Sequence, residues 1–84
     1  MDYRTDNPII RQGLDKVAEL NSAIALLEQV NPTSTAITQM YVKSVMCYAV
    51  LEQMIAVDSE IIYMDPNSYR QLGMELIRIV KTNI

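Results

Sequence analysis

AITQMYVKSVMCYAVLEQMIAV, residues 36–57, carries more apolar side chains than one helix face can hold. Wrapped at 3.6 residues per turn, Ile37, Tyr41, Tyr48, Leu51 and Ile55 fall on one side. Val42, Val45 and Ala49 fall on a second side, and Met40, Cys47, Val50, Met54 and Val57 on a third. Gln39, Lys43 and Gln53 make up a narrow polar strip. A helix that is apolar nearly all round belongs inside something. In a chain of 84 residues, two neighbouring helices cover only part of that surface, so either this is the middle helix of a tight bundle or another chain covers the rest.

The segments on either side read as helices too. Asn7-Pro8 is a start signal, with Asn as cap and Pro at the first helical position, where its missing N–H costs nothing. From there Ile10, Gly13, Val17, Leu20, Ile24 and Leu27 recur at alternating threes and fours, a helix-pairing seam widened by Leu14, Ala18 and Ala25. Gly13 in that seam reads as a tolerated helix glycine costing about 1 kcal/mol against alanine, the alternative being close approach of another backbone. Asn31-Pro32 ends this helix near Val30, and Thr33, Ser34 and Thr35 offer caps for the next. A connection this short makes antiparallel neighbours.

The second helix is expected to run on through Asp58 to Tyr63, since nothing there forbids it, with Asp65-Pro66 as the next start signal. In the third helix Tyr69, Leu72, Gly73, Leu76, Ile77 and Val80 form an amphipathic stripe. Ile79 and Ile84 lie off that stripe and hint at a second contact face, and Arg78 and Lys81 suit the C-terminal dipole. Period-two alternation never persists, so no strand is expected. The reading is a single all-α domain over residues 1–84: a loose N-terminus through residue 7, then helices over about 8–30, 34–63 and 66–82. The first two form a long antiparallel hairpin, and the third folds back to make a three-helix bundle.

Composition narrows function mostly by exclusion. A domain of this size buries only about 60% of its unfolded surface and usually needs disulfides, metals or oligomerisation to be stable. One cysteine and no histidine exclude an intrachain disulfide and a zinc site, which leaves oligomerisation. A net charge of −3 with scattered carboxylates suits neither duplex nucleic acid nor nucleic-acid mimicry. Residues 36–57 are long enough to span a bilayer, but Lys43 and Glu52 inside them oppose it, since charges at that depth cost a few kcal/mol each. MDYRTDNP has no apolar core segment and reads as no signal peptide, so the expected location is cytoplasmic.

No catalytic constellation is present. The commonest general base is absent, Gly13 and Gly73 are isolated, and Cys47 sits in the most apolar run, where a thiolate is disfavoured. Lys43 and Glu52 are nine residues apart, on opposite sides of the helix, so Glu52 is expected to reach solvent at the bundle edge. Neither an enzyme nor a bound cofactor or metal is expected. Five tyrosines and six methionines, with Met40, Met46 and Met54 all on the second helix, suit ordinary core filling or, as the functional alternative, an adaptable contact surface for a partner chain. The functional reading is a small helical interaction protein, an adaptor or inhibitor, that forms a homo-oligomer, with a dimer favoured, and binds a partner protein. Met40, Cys47, Val50 and Met54 are its expected interface, because their side remains once the Tyr- and Val-bearing sides are given to neighbouring helices; Tyr41 and Tyr48 border it. The alternative is a nucleotide-type ligand binder with an intersubunit pocket that uses Tyr69, Arg70 and Arg78.

Overall fold

The computed structural model describes residues 7–82, and the expected loose segment 1–6 and Ile84 lie outside them. Three helices, α1 (Pro8–Val30), α2 (Thr35–Asp58) and α3 (Pro66–Lys81), pack against one another, with no strand among the described residues. The starts are where the capping chemistry puts them. Asn7 Oδ1 accepts from the N–H of Ile9 at 2.9 Å, Ser34 Oγ from Ala36 at 3.2 Å, and Asp65 Oδ2 from Ser68 at 3.3 Å. Each satisfies an N–H that the first turn of a helix would leave unpaired. The Ser68 hydroxyl also donates to Asp65, and these bonds hold the Asp65 carboxyl below its ordinary pKa.

The core is built where all three helices meet: Ile10 and Val17 of α1, Cys47, Leu51 and Met54 of α2, and Leu76 and Ile79 of α3. The seam of α1 is buried as its spacing predicts, from Ile10 through Gly13, Val17 and Leu20 to Ile24. The close approach at Gly13 is to side chains and not to a backbone. A methyl group there would sit 2.9 Å from Leu51 Cδ2 and 3.0 Å from Leu76 Cδ2, so the missing Cβ is the space into which two leucines close. Between α1 and α2, Gly13 faces Leu51, Asn21 bonds Ser44 at 3.3 Å, and Glu28 lies 3.5 Å from the Tyr41 hydroxyl.

Three expectations are corrected. First, α2 stops at Asp58 and does not continue to Tyr63. Glu60 adopts φ 61°, its N–H donates to Val57 O, and the N–H of Ile61 donates to Ala56 O at 2.8 Å. This pair of bonds is the left-handed helix stop usually made by glycine, and it satisfies the last carbonyls of α2. Second, Ile79 belongs to the core at 3% exposure, because α3 is rolled so that Leu76 and Ile79 point inward while Ile77 and Val80 flank them.

Third, Lys43 lies on no outer polar strip: it is 7% exposed. Its ammonium donates to the carbonyls of Val80, at 3.4 Å, and Thr82. The end of α3 carries unpaired carbonyls and a partial negative charge, and an inward lysine satisfies both. Burial, with Lys16 nearby, pulls the Lys43 pKa below its usual value.

Candidate interaction surface

The inward side of α2 is made of Ile37, Lys43, Ser44, Cys47, Leu51 and Met54. The opposite side must therefore face out, and it does: Val45 is 63% exposed, Val42 53%, Tyr41 and Tyr48 47% each and Met46 42%, with Ala49 exposed among them. This reverses the assignment made by elimination. Cys47 and Met54 are closed off in the core, and Met40 and Val50 are half-buried, so that side presents little free surface. The Val-bearing side given to a neighbouring helix is the open one. The elimination failed because α1 and α3 both sit toward the Cys47–Met54 side instead of flanking the helix. Tyr41 and Tyr48 remain accessible at the border of the open strip.

The strip carries no charged side chain between Thr35 and Gln53 except Glu52, which lies beside Val45 and Tyr48, because Lys43 is turned inward. A shallow groove runs along each flank. One, of about 350 Å³ between α1 and α2, is lined by Val17, Asn21, Val45, Tyr48 and Glu52 among others. The second, of about 470 Å³ between α2 and α3, is lined by Val42, Met46, Arg78 and Ile79 among others. The Cys47 thiol is pushed up by burial, with the Lys43 and Lys16 charges opposing, so it stays protonated and poorly reactive.

A second cluster closes the opposite end of α2. The Tyr69 hydroxyl donates to Asp58 Oδ1 at 2.7 Å and accepts from Asn7 Nδ2 at 3.0 Å, joining the start of α1, the end of α2 and the first turn of α3. Burial, then the Asp58 bond and charge, push its pKa up to about 12. Nothing in the sequence marks Asn7, Asp58 and Tyr69 as partners: Asn7 is legible as a cap and Tyr69 as part of a stripe, and Asp58 lies inside the expected run of the second helix.

The residues of the ligand-binding alternative are not gathered into one site. Tyr69 is engaged with Asp58, Arg78 pairs with Glu75 one turn away, and Arg70 is exposed roughly 12 Å along the helix from Arg78 at about 1.5 Å per residue. Among the described residues there is no group of three His, Cys, Asp or Glu placed to hold a metal. By length and composition α2 could cross a membrane, with a mean hydropathy of 1.3. Comparison with protein-family models, with curated proteins and with solved structures finds no match to this chain.

Proposed function

We propose that this chain is a small, non-enzymatic interaction protein: an antiparallel helical hairpin, with α3 folded onto it, that self-associates through the outward side of α2 and docks a partner protein. The hairpin arrangement is supported by the cross-helix pairs, in which the α1 number falls as the α2 number rises: Glu28 with Tyr41, Asn21 with Ser44, Gly13 with Leu51.

The single observation that carries self-association is the uncharged apolar strip. From Thr38 to Ala56 it runs roughly 27 Å, at about 1.5 Å per residue, without an accessible charge except Glu52. Apolar patches of this kind on small soluble proteins mark contact sites. A closed two-fold dimer is the commonest way to cover such a patch, and Glu52 is the one accessible charge that it has to leave at the water. Packing α2 between two chains also accounts for a membrane-length apolar helix in a chain that keeps Lys43 and Glu52 within it.

Light scattering at micromolar concentration tests the reading. The expected mass is about twice 9.6 kDa, and Val45→Glu should reduce it to the monomer with helical content unchanged. A monomeric wild-type mass would overturn self-association. A dimer indifferent to Val45→Glu would keep the oligomer and reject this side of α2.

A further inference from the structure

Between the end of α2 and the start of α3 the chain turns its apolar side chains outward. Tyr63 is 89% exposed, Ile61 75% and Ile62 44%. A short connection normally presents polar residues to water, so three large apolar side chains at a tip are unusual.

The tip is also anchored. Glu60 in the left-handed conformation and the Ile61 bond to Ala56 fix its entry, and Asp65 capping α3 fixes its exit. The Asp58–Tyr69 bond ties the two ends together. A held tip loses little conformational freedom on docking, which favours binding. Tyrosine is among the side chains that dominate binding energy when buried at an interface.

Charge says what would receive it. No lysine or arginine occurs between Lys43 and Arg70, whereas Asp58, Glu60 and Asp65 surround the apolar residues in sequence and all three are exposed. The cation closest to this end along the chain is Arg70, in the first turns of α3. An anionic membrane surface would be repelled by these carboxylates, and a zwitterionic one would gain nothing from them. A protein cleft with a basic rim matches both the apolar centre and the acidic border.

We infer that the 59–65 tip inserts Ile61, Ile62 and Tyr63 into an apolar cleft, rimmed by lysine or arginine, on a partner protein. This rests on the reading of the chain as a protein-binding module, and names the chemistry of its partner.

The test is selection from a displayed library of random peptides against the full chain, with counter-selection on Ile61→Ser/Tyr63→Ser, both substitutions being at exposed positions. The expected peptides join an apolar anchor to lysine or arginine and lose affinity roughly tenfold or more on the serine variant. They bind more weakly as salt rises, and more weakly to Glu60→Asn, which removes the charge while tolerating the left-handed backbone. Tip-dependent peptides without cations, or peptides that all bind the serine variant equally well, would overturn the inference. So would tip-dependent binding to vesicles of phosphatidylcholine and phosphatidylglycerol. The light-scattering mass of the same variant reads self-association alone: if it matches wild type while peptide binding shows no tip dependence, only the inference about the tip fails.

Discussion

The inward and outward sides of α2 differ less in polarity than in what they touch. The inward side holds Lys43 and Ser44 beside Cys47, Leu51 and Met54, while the outward side shows Val42, Val45, Met46 and two tyrosines to water. Each inward polar group has a specific partner: Lys43 the last carbonyls of α3, Ser44 the side chain of Asn21. A buried polar group costs little when its partner is built in. An exposed valine costs little as well, until a second surface is available to remove it from water. Which side of an all-apolar helix faces in is thus set by complementarity with neighbours and not by hydrophobicity.

The largest effect should come from cutting the inward side. Leu51 is fully buried at the junction of three helices, touching the space left by Gly13. Leu51→Ala should cost about 2–5 kcal/mol, by lost transfer energy plus a cavity. Val45→Ala on the outward side should change monomer stability by less than about 0.5 kcal/mol. Urea denaturation of both variants, at concentrations where the chain is monomeric, checks the pair. Equal losses would mean that the two sides are not distinguished as described.

That contrast marks where the sequence could be read and where it could not. In α1, polar residues flank the seam from Arg11 to Ser22, and the buried set from Ile10 to Ile24 matches its period. In α2 there is no polar face to orient by, so the inward side could be chosen only by assigning stripes to neighbours, and the two available neighbours share one side. Lys43 misled further, because a lysine reads as solvent-facing unless the carbonyls it will meet, 37 residues away at Val80, are known. The helix stop at Glu60 was hidden for a related reason: the left-handed position is filled by a residue with no preference for it. Starts built from Asn-Pro, Asp-Pro and Ser were legible because each carries its own chemistry within three residues.

The two glycines sharpen the comparison at the next level. Ala in place of Gly gains about 1 kcal/mol of helix propensity when there is room. At Gly73 a methyl would meet Ile9 and Met54 at 3.7 Å, ordinary contact, so Gly73→Ala should stabilise by roughly that amount. At Gly13 the methyl would press on Leu51 and Leu76, both fully buried and without space to retreat. Overpacking of about 1–3 kcal/mol offsets or exceeds the propensity gain, and Gly13→Ala should lose up to about 2 kcal/mol net. Opposite shifts in melting temperature are expected. A gain at both sites would show that the inward side of α2 yields more easily than its packing implies.

Tyr69 ties the end of the inward side to the other two helices, and its effect should be read against pH. Its folded-state pKa, pushed up to about 12, lies above that of the unfolded phenol, near 10. The unfolded chain therefore releases this proton first, and stability that is complete below pH 10 is lost as pH rises from 10 toward 12. Tyr69→Phe removes the bonds to Asp58 and Asn7, should cost about 1 kcal/mol at neutral pH, and should flatten this part of the alkaline limb. An alkaline limb unchanged in the phenylalanine variant would separate the cluster from the stability of α2.

The smallest effect lies at Glu60, where the outward side of α2 gives way to the exposed tip. A side chain at φ 61° brings its Cβ against the following carbonyl, a strain of about 1–2 kcal/mol for an L-residue. Glycine escapes that strain but gives up more freedom on folding, so Glu60→Gly should stabilise by only about 0.5–1 kcal/mol. The bonds that stop the helix, from Glu60 to Val57 and from Ile61 to Ala56, use backbone atoms alone and survive the change. The measurement is a thermal melt beside Glu60→Ala, which keeps a Cβ and should not stabilise. If the glycine variant gains no more than the alanine variant, the backbone at residue 60 is not strained, and the stop is held by its backbone bonds at no cost to the side chain. A gain confined to glycine would mean that the acidic residue is kept at a cost in stability. That is the pattern expected where a charge serves recognition at the tip, and it would separate the exposed end of α2 from the inward side that holds the three helices together.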